Sequence, residues 1–470
     1  MKVLLIQPRQ GAGVGFKSMS VIEPLGLEMI AGALEPEHEV RILDLFDRGE
    51  LMPVVREFSP DACGISCSFT IDVYQTISIA RAIKDTLKQV SVFVGGHHAS
   101  LNPFDFLDPS IDFVVVGEGE ATTAEALRCL ERGEDITGVK GLVVNKDGCQ
   151  VSTGDRASIT DMDKLPRPAR ELTRDYRNAY FLGFQKPTAA LETARGCPYR
   201  CNFCSVWRFY RGRCRAKSAG RVVEELSEVK EEYVLVTDDN FLMDVERAEE
   251  VARGLKGARI KKKITFQARS DTIVKHPDLI PLWKEAGLFK VFIGFEKASE
   301  EELKSVEKRN SVANNERALE ILNKHNIGVV ASFIVDPQYD QKDFARLRQY
   351  IRDKRIYTPS FSVLTPLPGT ELYTRMKEKL TTANLEFYDF MHAVLPTRLK
   401  LDDFYRELAR LYISAYRRPE YILKSAGHLV KNLATGRISW KHLFKLMECG
   451  WSFITPSSYL APQHGNPARP

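Results

Sequence analysis

The chain has 470 residues, of which 44% are hydrophobic and 27% charged, and its formal net charge is +5. This is the balance of a globular protein of two to four domains, at roughly 100–200 residues each, and so small a charge gives no ground to expect a nucleic-acid partner. Nine cysteines in a chain this long do not make a secreted disulfide framework; three of them in one short loop fit a reducing cytosol and a metal.

Taken in order, VLLIQP (3–8), VRILDL (40–45), ACGISC (62–67), VSVFVGG (90–96) and FVVVGEG (113–119) read as buried parallel strands. PLGLEMIAGAL and DVYQTISIARAIKDTLK, between them, carry apolar residues at helical spacing. The alternation predicts an α/β fold with a doubly wound, Rossmann-like sheet over residues 1–152. GLVVNKDGCQVS closes it as a hairpin around Asp147 and Gly148. DMDKLPRPARELTRDYRN has prolines and charges without periodicity and predicts a linker over 153–185.

A second alternating block covers 186–390, with strands AALETA (189–194), YVLVTD (233–238), ITFQAR (264–269), FKVFIGFE (289–296), IGVVASFIV (327–335) and PSFSVLTP (359–366). These predict another open sheet or a partial (β/α) barrel, whose chemistry would sit in the loops after the strands. Residues 391–470 show no strand; FYRELARLYISAYRR and HLVKNLATGRISWKHLFKLMECGWSF read as helices and HGNPARP as a disordered tail.

Just past the first strand of the second block lies ARGCPYRCNFCSVW, with Cys197, Cys201 and Cys204 separated by three residues and then two. Structural zinc wants four ligands, and the nearby Cys214 lies in the basic stretch RFYRGRCRAK, outside the compact spacing. A [4Fe–4S] cluster held by three thiolates instead leaves one iron open to a small chelating molecule. This spacing, with the aromatic Phe203 before the last cysteine, resembles the signature of radical S-adenosylmethionine enzymes. The resemblance implies that the amino and carboxylate groups of S-adenosylmethionine take the fourth iron position, and that the reduced cluster cleaves the sulfonium to a 5′-deoxyadenosyl radical. It also implies a core of six βα units, the number of strands read above.

Weaker matches follow. Asp238, Asp239 and Asn240 of VLVTDDNFL stand where the ammonium of S-adenosylmethionine needs acceptors; they also fit a hydrated strand end or a helix cap. Gln267 and Arg269 of QARSD belong to the same implied set, Arg269 toward the carboxylate or else in an ordinary ion pair. Glu296 of IGFEKAS is implied at the ribose hydroxyls or the substrate, and TPLPGTELY as a closing turn.

In the first block, IQPRQGAGVG, VGGHHAS and VVGEGEATT fall at strand ends, the rim where open α/β sheets bind ligands. GAGVG lacks the spacing of a dinucleotide fingerprint. Together with the second block, the layout of about residues 1–390 resembles the cobalamin-binding radical S-adenosylmethionine enzymes. The cobalamin contacts this implies are Ser66, Ser68, Gly95, Gly96, His97, His98, Gly117, Glu118, Gly119 and Glu120. No D-x-H-x-x-G segment occurs, which leaves the lower axial ligand of cobalt unassigned; a sheet that only docks a partner is the alternative.

The implied reaction is methylation of an unactivated sp3 carbon through methylcobalamin, with a reductant such as ferredoxin or flavodoxin. The layout is most similar to the bacterial hopanoid C-3 methylases, which implies a polycyclic lipid substrate. Alternatives are a related cyclase or methylase acting on a tetrapyrrole or other small molecule, and a zinc-bound scaffold without activity. Trp440, Phe444, Met447 and Trp451 share one helical face flanked by Lys441 and Lys445, the pattern of an interfacial helix or of a helix packed on the barrel. No apolar run reaches the roughly 18 residues of a spanning helix, and MKVLLIQPRQ is too short for a signal peptide. The expected location is cytoplasmic, with peripheral contact at the inner face of the membrane.

Overall fold

The structure, a computed structural model, describes residues 1–8, 19–47, 50–419, 427, 429–430, 432–436 and 438–464. The chain begins with β1 (Lys2–Gln7), β2 (Ser20–Val21), β3 (Glu39–Asp44), β4 (Ala62–Ser66), β5 (Ser91–Gly95), β6 (Phe113–Val115), β7 (Leu142–Lys146) and β8 (Cys149–Ser152). All but β2 join one sheet in the order β3-β1-β4-β5-β6-β7-β8. The strands through β6 pair in parallel, and β7 and β8 add an antiparallel hairpin. Asp147 and Gly148 turn that hairpin with φ of 52° and 75°, the left-handed pair that matches strand twist.

β1 is apolar from Val3 to Ile6 because both its faces are covered there. Leu4 and Ile6 enter the core on one side, Val3 and Leu5 that on the other. The parallel strands run in the doubly wound order whose direction reverses between β1 and β4, and ligands of such sheets bind at the strand ends near that switch.

The second half contains β9 (Phe181–Leu182), β10 (Thr188–Leu191), β11 (Ala194–Arg195), β12 (Arg215–Ala216), β13 (Tyr233–Val236), β14 (Lys263–Gln267), β15 (Leu288–Glu296), β16 (Gly328–Val335) and β17 (Thr358–Val363). β10 and β13 to β17 form a parallel sheet in sequential order, the arrangement of a barrel left open between its first and last strands. Ile264, Phe266, Val291, Ile293 and Phe295 pack outward on helix residues such as Leu226, Val251 and Trp283. The alternate residues Gln267, Phe292, Ser332 and Ser362 are half-buried and, by strand alternation, line the inner face.

The C-terminal helices flank the open edge. Tyr412, on the helix Leu401–Tyr416, donates its hydroxyl to the Phe361 carbonyl on β17 at 2.8 Å. On the helix Trp440–Ile454, Cys449 and Phe453 join the same core as Phe361, while Leu446 packs on Val21, Tyr180 and Phe181. This helix therefore reaches from the β17 side to the short β2–β9 ribbon that precedes β10.

Two expectations need correction. The stretch between the sheets is a clasp rather than a loose tether: Arg170 and Arg177 reach the buried Glu23, Thr173 donates to Glu28, and Arg177 also pairs with Glu231. Its charges look like a solvated linker in sequence because their partners lie far away in the chain. The expected tail from His464 is helical at its first residue, which ends the helix Ser457–His464; its other residues, and the GAGVG stretch, lie outside the described residues.

Candidate active site between the two sheets

The cysteine loop leaves β10 at the C-terminal rim and is pinned at its base by the β11–β12 ribbon. At that base only glycine fits: Gly196 has φ of 93°, and a Cβ would stand 2.1 Å from the Arg213 carbonyl oxygen. Within the loop, the Trp207 indole donates to the Cys201 carbonyl at 3.2 Å and the Asn202 amide to the Ser305 carbonyl at 3.1 Å. Burial raises all three thiols, Cys204 to about 12, so thiolates here need a metal to displace the proton. Arg269 and Lys308 act against that rise at Cys197 and Cys201.

Among the described residues, no three or more His, Cys, Asp or Glu side chains converge as ligands of one metal ion. Cys214, the nearby candidate for a fourth zinc ligand, is exposed.

The strand ends of the second sheet surround the loop. Asp238 is held by Thr193, its carboxylate accepting from the Thr193 backbone at 2.7 Å and from the Thr193 hydroxyl at 2.5 Å. It braces the start of the cysteine loop with one hydrogen bond to each carboxylate oxygen and is 2% exposed. Asp239 is half-buried and beside Asp238 and Glu192, and burial followed by those like charges raises it to about 7. Asn240 is 2% exposed, and neither atom of its amide has a partner. An unpaired buried amide is costly, and a ligand with both a donor and an acceptor would satisfy it.

Arg269 resolves to the ion pair. It pairs with Asp271 at 2.8 Å, donates to the Lys308 and Arg309 carbonyls at 3.0 and 2.9 Å, and stacks 3.6 Å from the centre of the Tyr199 ring. Gln267 and Phe203 are half-buried, at the end of β14 and in the loop. Glu296 follows a register shift in β15, with φ of 62°, an uncommon backbone for a residue other than glycine. Its carboxylate pairs with Lys308 at 2.5 Å. Lys308 is unmarked in sequence, because only the fold brings residues 296 and 308 together.

The first sheet holds a slot of about 180 Å³, larger than the roughly 150 Å³ cavity known to accept benzene. Of the implied cobalamin contacts, Ser66, Ser68, Gly95, Gly96, Gly117, Glu118, Gly119 and Glu120 line it, together with Phe209 and Tyr210 from beyond the cysteines. A Cβ at Gly26 or Gly117 would meet nothing within 4 Å, so both leave open space in the slot. The space suits the aromatic tail of a corrinoid.

His97 and His98 are not in the lining. Both ring nitrogens of His98 are occupied, by Thr70 at 3.1 Å and Asp105 at 2.9 Å. His97 bonds through Nε2 to the Ser205 hydroxyl at 2.8 Å and stacks on Phe209 at 4.6 Å; burial lowers it to about 4. The two histidines thus serve the frame rather than facing the slot. Glu118 and Glu120 likewise spend carboxylate oxygens on the partner sheet: Arg195 pairs with Glu118 at 2.9 Å, with Glu120 at 2.5 Å and with Glu192 at 2.9 Å, and Arg215 pairs with Glu118. Both flanks of the cysteine loop are therefore gripped by the loops that shape the slot. Arg195, Arg215, Ser205 and Phe209 escaped the sequence reading, since nothing local marks a contact between distant segments.

Comparison with known proteins agrees with this arrangement. Residues 11–127 match the B12 binding domain family and residues 191–351 the radical SAM superfamily. The hopanoid C-3 methylase of Methylococcus capsulatus is 34% identical over 403 residues, covering 84% of this chain and 77% of that protein. The anaerobic magnesium-protoporphyrin IX monomethyl ester cyclase of Synechocystis is 26% identical, over 84% of this chain and 81% of that one. The solved radical S-adenosylmethionine methyltransferase TsrM from Kitasatospora setae, with cobalamin and a [4Fe–4S] cluster bound, shares the fold at a TM-score of 0.67 and 17% identity, covering 88% of this chain and 90% of that one. The chain belongs to the cobalamin-dependent radical S-adenosylmethionine methyltransferases.

Proposed function

We propose that this enzyme methylates an unactivated sp3 carbon of a polycyclic lipid, C-3 of a hopanoid in particular. The observation that carries the substrate is the 34% identity to a hopanoid C-3 methylase over 84% of the chain. When bound, the cluster with S-adenosylmethionine supplies hydrogen abstraction and cobalamin supplies the methyl group.

The protein's part is to hold and orient. Cys197, Cys201 and Cys204 hold the cluster. Asp239 and the unpaired amide of Asn240 receive S-adenosylmethionine, Glu296 and Lys308 form the opposite wall, and Gln267 and Phe203 complete the set. Asp238 and Arg269 keep the loop and Tyr199 in place. Ser66, Ser68, the glycines at 95, 96, 117 and 119, and the backbone around Glu118 and Glu120 form the cobalamin slot. The half-buried residues Phe292, Ser332 and Ser362 on the inner face of the barrel offer a lipid both apolar and polar contact.

A lipid substrate must be reached from a membrane. No helix among the described residues is long and apolar enough to span one. On the helix Trp440–Ile454, however, Trp440, Phe444, Met447 and Trp451 are 59–65% exposed in one stripe, while His442, Leu443 and Leu446 are buried on the other side. A helix with rows of aromatic residues outward and lysines beside them lies well in a bilayer interface. Such contact would keep the enzyme at the inner face of the cell membrane.

The similarity to a cyclase supports a second reading, ring formation on a tetrapyrrole. The test is the hopanoid profile of cells with and without the gene for this chain. Loss of C-3-methylated hopanoids is expected, and an unchanged profile removes the lipid assignment.

A further inference from the structure

From Thr193 to Val223 the sequence carries eight lysines and arginines and no carboxylate. Half of these cations are consumed inside the molecule. Arg195 and Arg215 pair with Glu118, and Lys217 and Arg221 with Glu225. Arg211 meets Asp155 in an exposed pair, of the kind that contributes little to stability. Arg200, Arg208 and Arg213 are exposed, and among the described residues no ion pair engages them.

These four arginines lie on the outer surface of the cysteine loop and its continuation. Between two of them sits Trp207, with the Arg200 and Arg208 guanidinium carbons 5.8 and 4.7 Å from its ring centre. The same indole donates to the carbonyl of Cys201. The surface is therefore one hydrogen bond away from the backbone of a cluster-binding cysteine, and most of its charge faces solvent without an ion-pair partner among the described residues.

We propose that Arg200 and Arg208, which flank Trp207, and Arg211 and Arg213, on the turn that Arg200 approaches at Gly212, form the docking surface for an acidic one-electron carrier protein with a flavin or iron–sulfur centre. The proposal rests on the reading of this loop as the cluster site and adds where the electron enters. One electron leaves the reduced centre of the donor, which is oxidised by one equivalent, and passes to the group held by the cysteine loop; no proton need move. Clustered like charges steer an acidic partner and speed its association, an effect that salt screens. The carboxylate-free sequence around the loop is what such steering requires.

The test uses the full chain loaded with cluster and cobalamin, and flavodoxin as the probe. The variants are Arg200→Glu/Arg211→Glu/Arg213→Glu and the milder Arg200→Gln/Arg211→Gln/Arg213→Gln. Flavodoxin affinity, read without turnover at low and high salt, is expected to fall about tenfold in the charge-reversed protein and to lose most of its salt dependence. The glutamine variant should fall between. S-adenosylmethionine cleavage driven by dithionite should stay within about twofold of the unaltered protein, while cleavage driven by reduced flavodoxin drops. Equal flavodoxin affinity and salt dependence in all three proteins overturns the proposal. So does a loss of binding to anionic vesicles with flavodoxin binding intact, which would make the patch a membrane contact. Failure of the unaltered protein to cleave with dithionite overturns the reading of the loop itself, and the affinity measurement still decides the docking question.

Discussion

At the scale of single residues, the site is marked by a carboxyl raised by burial and like charges and by a buried amide without partners. Burial, and then the like charges of Asp238 and Glu192, push the Asp239 carboxyl up to about 7. Its ionised form is the one that accepts from an ammonium, so S-adenosylmethionine affinity should rise with pH through 7. One unit below that value only about a tenth of the carboxylate is ionised, and calorimetric titration at pH 6 and 8 should differ by roughly that factor. Asp239→Asn should bind weakly at both and show no pH dependence. Asn240 gives a prediction of opposite signs. Its amide is buried without partners, so Asn240→Leu should hold or raise the melting temperature while lowering S-adenosylmethionine affinity about tenfold. A large loss of stability would show that the amide is satisfied within the fold.

Among elements, legibility followed locality. Strands β1 and β4 to β6 are readable because burial on both faces makes their middles apolar runs, β3 and the barrel strands because at least alternate residues are buried along most of their length, and β7–β8 because Asp147 and Gly148 tolerate left-handed backbone. The helix Trp440–Ile454 is readable by periodicity, and its N-cap Ser439 accepts from the His442 backbone. The placement of the cysteines followed from spacing and strand position alone. What could not be read was pairing at a distance: that Asp238 belongs to Thr193, Arg269 to Asp271, Glu296 to Lys308, and His97 to Ser205. Identical residue types serve as ligand contacts or as braces, and only the fold assigns them. The exposed stripe on the C-terminal helix carries a prediction of its own. Trp440→Ser/Phe444→Ser/Trp451→Ser should abolish co-sedimentation with anionic liposomes and leave the melting temperature nearly unchanged, because these side chains touch little protein; retained sedimentation would count against membrane contact.

For the molecule as a whole, the two sheets act as one site through the contacts at the cysteine loop. Arg195 is 6% exposed and holds Glu118, Glu120 and Glu192. Arg195→Met would strand Glu120 and Glu192 and leave Glu118 to Arg215 alone, and a loss of about 3–5 kcal/mol is expected on chemical denaturation. The central claim is methyl transfer to a polycyclic lipid by a site built across both sheets. The most direct measurement incubates the anaerobically loaded enzyme with reductant, a hopanoid and S-adenosylmethionine carrying a deuterated methyl group, followed by mass spectrometry of the lipid and of the nucleoside products. The account predicts a hopanoid bearing the labelled methyl group together with 5′-deoxyadenosine. Formation of 5′-deoxyadenosine with no label in any lipid, or a labelled lipid from protein lacking Cys197, Cys201 and Cys204, would contradict it.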